Sequence, residues 1–305
     1  MIKILFYFFY FYSLRVCLRL IGYNKSIYLA ERFSFVLAFL FHNKLNLIHN
    51  NLAACFGNFL SSKDIKAISE KIMKNIAKNS VNLLFFDKIP RNKCASISSF
   101  SGIENIEQAI NRGKGAILLS GHSGSIILAL HSLGMTTNYK PHVYISQNFN
   151  TNMTALNHLF AQKTVSLYRA GSFKIYQNDL KGIFAALKAN RIVGIAFDAV
   201  KAKKFLKIPF GKYKILISEG PFQIAKRTGA SIIPFFSSYL NGQNIEVIIG
   251  EPINVVDIHE AASCFMGEFE SFLLTHPQDW GAWARLTLKN SSEGPVFELI
   301  GGRLI

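Results

Sequence analysis

Cysteine is sparse in this chain and never falls in a metal-binding or redox spacing. Cys17, Cys55, Cys94 and Cys264 are scattered over 305 residues without a Cys-x-x-Cys pair. Neither a disulfide framework nor a zinc site is indicated, and the pattern suits a reducing cytoplasmic setting. Acidic residues are scarce too: 18 Asp and Glu face 34 Lys and Arg, a formal net charge of +16. Such an excess suits an anionic partner, whether a membrane surface, a nucleic acid or an acidic protein. No recognisable nucleic-acid motif accompanies it, so RNA binding finds no further support.

Long apolar runs are also missing. The aromatic stretch Met1–Tyr12 is followed by Arg15 and Arg19, and its uncharged part is shorter than the roughly 20 residues of a spanning helix. No small-x-small cleavage site follows it, which argues against a signal peptide. Residues 1–22 are expected to form an uncleaved hydrophobic membrane anchor, its arginines snorkelling to the interface. The remainder of the chain then lies on the cytoplasmic side. The alternative is a buried N-terminal helix. A second apolar segment, Phe33–Phe41, is placed on the same membrane surface. No internal repeat, low-complexity tract or linker divides residues 23–305, read as one α/β domain with a helical preface.

What the chain does have is apolar bulk, 50% of its residues with 27 Phe, arranged in alternating patterns. Ser61 and Asp64 form a capping box opening a helix with Ile65, Ile68, Ile72 and Ile76 at helical spacing. Lys66, Lys71, Lys74 and Lys78 read as its solvated face. After Pro90 the pattern predicts strands at 115–120, 142–147, 192–197, 231–236 and 244–249. Helices are expected at 178–190, capped by Asn178 or Asp179 and burying Leu180, Ile183, Phe184 and Leu187, and at 218–228, closed by Gly229. A last helix starts at Asp257, with Glu260 completing a second capping box. This alternation predicts an α/β fold, a mixed, mostly parallel sheet flanked by helices and preceded by the N-terminal membrane-anchoring helical region.

The candidate site lies where the first strong strand ends. Gly121-His122-Ser123-Gly124-Ser125 makes a tight turn between strand 115–120 and an apolar helix start at Ile126. Ligands bind at the carboxyl ends of parallel strands, so His122 is a candidate general base among glycines that admit a substrate to the backbone. Asp198 ends strand 192–197. If that strand runs parallel to 115–120, both side chains leave the same sheet edge. Asp198 then either orients His122 or serves as an ordinary turn residue. Glu219 is a weaker candidate. Lys201, Lys203, Lys204, Lys207, Lys212 and Lys214, interleaved with Phe205, Phe210 and Tyr213, follow Asp198 directly. They read either as a solvated lysine-rich loop or, beside a lipid-handling site, as an anion-binding cluster led by Lys203, Lys204 and Lys207. His131 reads as a hydrogen-bonded core histidine.

Five segments in order resemble the bacterial lipid A biosynthesis acyltransferases, the lauroyl and myristoyl transferases of the wider lysophospholipid acyltransferase superfamily. They are Asn50–Phe56, the block Gly121–Ile127, Pro209-Phe210-Gly211, Gly220–Ala230 and His276-Pro277-Gln278-Asp279-Trp280 with Trp283. One departure stands out. The family pairs its histidine with an Asp or Glu five residues later, and here that position is Ile127, which can neither fix an imidazole tautomer nor stabilise an imidazolium. Ser125 and Ile126 replace the family's Asn and Trp, and Asp198-Ala199 replaces an Asp-Gln pair.

The resemblance implies acyl transfer, in lipopolysaccharide assembly, from a thioester of acyl carrier protein or coenzyme A to a hydroxyl of a membrane glycolipid or phospholipid. His122 would be the base, and the turn of Gly121, Ser123, Gly124 and Ser125 would bind substrate. Its backbone N–H groups, with a nearby lysine, would stabilise the oxyanion. No metal or organic cofactor is implied, and the setting is the bacterial inner membrane with the catalytic domain facing the cytoplasm. Two alternatives remain: a degenerate homologue that binds lipid or a partner, or a serine hydrolase using Ser123 in a near Gly-x-Ser-x-Gly elbow, with Asp198 and His259 or His276. A carboxylate within hydrogen-bond reach of His122 would separate the first from an active enzyme.

Overall fold

The computed structural model describes residues 8–145, 155–198, 202, 204–292 and 294–299. A π-helical turn, Phe9–Leu14, leads into α1 (Arg15–Ile21), α2 (Tyr23–Arg32), α3 (Ser34–Leu40), α4 (His42–Phe56) and the long α5 (Ser62–Phe85). Then come α6 (Arg91–Ile97), β1 (Ser98–Ser101), α7 (Glu104–Asn111), β2 (Ala116–Ser120), α8 (Ile126–Thr136), β3 (His142–Ile145), α9 (Ala155–Tyr168), β4 (Lys174–Gln177), α10 (Leu180–Lys188) and β5 (Ile192–Ala196). The chain continues through β6 (Phe205–Phe210), β7 (Tyr213–Ser218), α11 (Gly220–Thr228), β8 (Ser231–Tyr239), β9 (Ile245–Ile249), α12 (Ile258–Thr275), β10 (Leu286–Ser291) and β11 (Gly294–Leu299).

Seven strands form the central sheet in the order β1-β9-β8-β2-β5-β3-β4. Every pairing is parallel except β8 with β9, so the mixed, mostly parallel sheet is as expected. Central β2 is buried throughout, and its side chains alternate between two cores, as period-2 geometry requires. Ile117 and Leu119 join one cluster with Val193, Ile195, Phe236 and residues of α5, α10, α11 and α12. Ala116 and Leu118 join the other with Ile192, Ile233, Phe235 and residues of α6, α7 and α8. Helices thus cover both faces, as a sheet of this kind needs.

Local signals hold where they are strong. Ser61 Oγ accepts from the Asp64 N–H while Asp64 accepts from the Ser61 N–H, so the capping box forms in full. Asp179 caps α10 by accepting from the Gly182 N–H, and Gly229 ends α11 at φ 73°. Asp257 caps α12 through the Glu260 N–H. Ile183 and Leu187 are buried as expected, but Leu180 is exposed at the first position of α10.

Two expectations fail, and one of two readings left open is removed. The N-terminal segment is not one apolar rod: Gly22, at φ 87°, breaks it. Arg15 and Arg19 do not reach for an interface. Both pair with Asp87 and donate to the Leu84 carbonyl, pinning the segment to the end of α5. Among the described residues no helix is long and apolar enough to cross a membrane, so the expected membrane-anchoring helical region over 1–22 is not supported. Secondly, of the two readings of the lysine-rich stretch, the solvated loop does not hold from 205 on: β6 and β7 form a hairpin turning at Gly211, φ 55°. It joins β10 and β11 in a second, four-stranded sheet, with Leu206, Ile208 and Phe210 turned inward. Thirdly, Lys78 is not on a solvated face. It is buried, with its ammonium near Glu31 at 3.4 Å, bonded to the Gly242 carbonyl and 3.5 Å from the Tyr239 ring centre. Burial pushes its ammonium below the usual lysine value.

Candidate active site

β2 and β5 run parallel in register, Ser120 opposite Ala196, so the residues that follow each strand emerge at the same sheet edge. His122 and Asp198 meet there. His122 Nδ1 lies 2.7 Å from Asp198 Oδ1, and the His122 backbone N–H donates to Asp198 Oδ2 at 2.9 Å. Trp280 Nε1–H, from the C-terminal segment, donates to the same Oδ2 at 3.1 Å. Asp198 is 0% exposed, whereas the His122 side chain is 47% exposed. One nitrogen of the ring therefore faces a buried acceptor and the other is open to a substrate. An ionised carboxylate only accepts, so Nδ1 carries the hydrogen and Nε2 keeps its lone pair. Ile127, at the family's acid position, is partly buried and packs into the second core cluster. Asp198 supplies a carboxylate within hydrogen-bond reach of His122, which Ile127 cannot. Glu219 instead opens α11 and accepts from Gln223 Nε2.

Burial alone would raise the Asp198 carboxyl. The His122 ring, its N–H and the Arg285 guanidinium outweigh burial and hold the carboxyl well below the usual carboxylate range. A group depressed in this way contributes stability that is present above the unfolded carboxyl's value, near pH 4. That contribution is lost as pH falls through the lower folded value. The acid side of the unfolding curve, followed by circular dichroism from about pH 5 downward, is therefore expected to be shallower in Asp198→Asn than in wild type. Parallel curves would show that other carboxylates govern acid unfolding.

The rest of the turn belongs to the scaffold. Ser123 is 0% exposed, and its Oγ accepts from the Ser237 N–H and lies 3.2 Å from Ser120 Oγ. A buried hydroxyl engaged in this way cannot meet a substrate, which removes the serine-hydrolase alternative. Ser125 is buried as well, accepting from Asn82 Nδ2 at 2.9 Å. Gly124 sits at φ 48° with the Ser237 carbonyl oxygen 2.2 Å from where a Cβ would stand, so only glycine fits. The N–H groups of His122, Gly124 and Ser125 are spent on Asp198, the Asp279 carbonyl and Ser237 Oγ respectively. None of these three is available to an oxyanion. Gly121 is hemmed in by Phe197, Trp280 and Asp198.

Of the lysines, Lys203 lies outside the described residues. Lys204 is exposed just before β6, its carbonyl accepting from the Glu219 N–H. Lys207 lies between the inward-facing Leu206 and Ile208, on the opposite side of the strand. His131 is a core histidine as expected: Nε2 lies 3.1 Å from the Ile89 carbonyl and Nδ1 accepts from the Ser172 N–H. Among the described residues no three His, Cys, Asp or Glu side chains gather to hold a metal.

Sequence reasoning missed the framework behind the turn. Asn75, Asn79 and Asn82 share one face of α5 at i, i+4 and i+7. Asn79 donates to the Gly124 carbonyl at 2.8 Å and accepts from Tyr239 OH, while Asn82 bonds Ser125 Oγ, Tyr239 OH and Tyr23 OH. Asn75 donates to Asp279 Oδ1, whose carboxylate also accepts from Ser238 Oγ. Burial raises the Asp279 carboxyl. Asn51 on α4 donates to the carbonyls of Trp283 and Leu286, clamping the segment that carries Arg285. The guanidinium of Arg285 lies 3.4 Å from His122 Nδ1 and 3.7 Å from Asp198 Oδ2. Three asparagines on one helical face that also carries buried isoleucines were the available signal for the first group. Trp280 and Arg285 come from more than 80 residues beyond Asp198; the family-like segment marked Trp280 without giving it a role, and nothing local marks Arg285.

The sequence matches, over residues 2–289, the family described as bacterial lipid A biosynthesis acyltransferase. A lipid A biosynthesis acyltransferase of Haemophilus influenzae is 28% identical over 209 residues, 65% of this chain and 61% of its own length. The present chain thus spans about three-fifths of the length of that relative. With the family's histidine turn, its C-terminal Trp segment and a match over nearly the whole sequence, the chain belongs to the bacterial lipid A biosynthesis acyltransferase family.

Proposed function

We propose that this protein transfers a fatty acyl chain from an acyl thioester, on acyl carrier protein or coenzyme A, to a hydroxyl of a lipid A precursor or related membrane glycolipid. The observation that carries this reading is the half-exposed His122 held by the fully buried Asp198 at 2.7 Å. Nε2 removes the proton of the acceptor hydroxyl as its oxygen attacks the thioester carbonyl. Asp198 fixes the productive tautomer and stabilises the imidazolium while it lasts. Collapse of the tetrahedral intermediate breaks the C–S bond, and the proton returns from His122 to the thiolate. A carboxylate within reach of the histidine argues against the degenerate, lipid-binding alternative. The test is transfer of radiolabelled acyl groups from carrier-protein and coenzyme A thioesters to a purified lipid A precursor. Folded protein that transfers nothing from either donor would refute the reading.

We place the protein on the cytoplasmic face of the bacterial inner membrane, lying on it rather than spanning it. Phe8, Phe9, Leu20, Tyr28, Phe33, Phe35, Phe39 and Leu40 are exposed on the N-terminal elements, Leu20 at 82% and Phe39 at 79%. Apolar surface on this scale marks an interaction site, and the net charge of +16 favours anionic lipid. Phe35→Asp with Phe39→Asp is expected to release the protein from phosphatidylglycerol vesicles in a sedimentation assay, with the fold unchanged. Undiminished binding would move the contact elsewhere.

A further inference from the structure

We infer that Asp279 is a positioning residue: its buried carboxylate anchors a short strap, residues 279–281, that sets His122 and Asp198 against each other. The inference rests on the reading of these two side chains as the working pair. They leave the ends of different strands, β2 and β5, so their spacing is only as exact as the element that ties those ends together.

Three consecutive residues make the tie. The Asp279 carbonyl accepts from the Gly124 N–H, Trp280 Nε1 donates to Asp198 Oδ2 at 3.1 Å, and the Gly281 N–H donates to the His122 carbonyl at 3.0 Å. The two backbone bonds form an isolated antiparallel bridge that sets Ser123 opposite Trp280. The strap therefore grips the backbone of the base and an oxygen of the acid at once. It lies between two 3-10 turns, Pro277–Asp279 and Gly281–Ala284, so no extended ladder fixes it. Side-chain bonds must do so.

Asp279 supplies them. Its buried carboxylate accepts at Oδ1 from Asn75 Nδ2 at 2.8 Å and the Tyr239 N–H at 3.4 Å. At Oδ2 it accepts from Ser238 Oγ at 2.8 Å and Gln278 Nε2 at 3.2 Å. Asn75 lies on α5, and Ser238 and Tyr239 end β8. The same two elements hold the turn from its other side: Asn79 donates to the Gly124 carbonyl, Asn82 to Ser125 Oγ, and the Ser237 N–H to Ser123 Oγ. Turn, strap and the wall of α5 and β8 thus close into a frame, with the Asp279 carboxylate joining strap to wall. Removing that carboxylate opens the frame at one edge and leaves the others in place. Asn75 also donates to the Gln278 carbonyl, so the strap keeps a thread to α5.

The test compares wild type, Asp279→Ala and Asp279→Asn in two measurements. The first is amide hydrogen exchange by mass spectrometry, with peptides covering 120–126 set against peptides from α7 and α10. The second is kcat and KM for acyl transfer. In Asp279→Ala, exchange at 120–126 is expected to quicken about 10-fold while α7 and α10 keep their wild-type rates. In the same variant kcat should fall about 10²-fold with KM little changed, the loss that a misplacement of about 1 Å produces. Asp279→Asn is expected to recover most of both. Its oxygen serves Asn75 and the Tyr239 N–H, and its NH₂ donates to a Ser238 hydroxyl turned round to accept. Unchanged exchange at 120–126 in folded Asp279→Ala overturns the inference. So does faster exchange spread evenly over the chain, which is the mark of a merely structural role, and so does an Asp279→Asn as loose as the alanine variant. Should Asp279→Ala not fold, Ser238→Ala takes its place, and unmoved exchange at 120–126 there is equally fatal. Exchange needs no turnover, so it decides whether Asp279 holds the turn even if wild type transfers nothing and the acyl-transfer reading falls.

Discussion

Replacing His122 by alanine is expected to lower kcat for acyl transfer by about 10² to 10⁴-fold, the range typical of a lost general base. The side chain is half exposed, but its loss leaves the buried Asp198 Oδ1 without its ring donor, so the melting temperature should fall as well, and the rate is to be read on variant protein shown to be folded. Asp198→Asn is the sharper partner experiment. Asp198 Oδ1 serves the His122 ring while Oδ2 serves both the His122 N–H and Trp280 Nε1. An amide has one accepting oxygen. If that oxygen stays with the two scaffold donors, the NH₂ faces Nδ1 and imposes the tautomer in which Nε2 bears the hydrogen. The base is then blocked although the geometry survives. A rate loss in Asp198→Asn approaching that of His122→Ala, in a folded protein, is the expected result. Full activity in Asp198→Asn would remove the carboxylate from the mechanism, and full activity in His122→Ala would remove the base itself.

Why Asp198 was legible in the sequence and Arg285 was not follows from the range of the signals. Two β-rich runs, 115–120 and 192–197, each ended in a residue capable of chemistry. The parallel pairing typical of alternating β and α elements placed both at one edge. That inference needed only local patterns and one rule of topology. The Ser61 capping box, the Asp179 cap and Gly229 were legible for the same reason, since each is settled within four residues. The hairpin at 205–218 was not legible because Lys204, Lys207, Lys212 and Lys214 suggest solvent or a bound anion rather than strands. In the fold the lysines of β6 and β7 line one side of a hairpin whose other side, Leu206, Ile208, Phe210, Ile215 and Ile217, is buried. Lys78 was misread in the same way, since its partners Glu31, Tyr239 and Gly242 lie far away in sequence. The N-terminal arginines looked like membrane flanks until α5 supplied Asp87 and the Leu84 carbonyl. A polar residue's partner decides its role, and here the partners are tertiary.

The C-terminal Trp segment carries the largest expected effect on stability. Trp280 is 0% exposed, with ring centres 4.9 Å from Trp283, 5.1 Å from Phe269 and 5.9 Å from Phe210, each edge-on. It therefore joins α12, the β6–β7 hairpin and the C-terminal turn into one aromatic core, while its Nε1 reaches Asp198. Trp280→Ala is expected to cost about 3–5 kcal/mol, the range for a large aromatic truncated in a close-packed core, read as a lowered urea midpoint. Activity should fall with it, because the wall behind Asp198 goes as well. Trp280→Phe separates the two contributions. Phenylalanine refills most of the volume and should recover most of the stability, yet it leaves Asp198 Oδ2 one donor short. A carboxylate held by fewer bonds is free to turn, and His122 loses its fixed partner. Stability largely restored with kcat still depressed is thus the expected outcome for Trp280→Phe. Recovery of both would show that the indole N–H is dispensable and that Trp280 serves the site through packing alone.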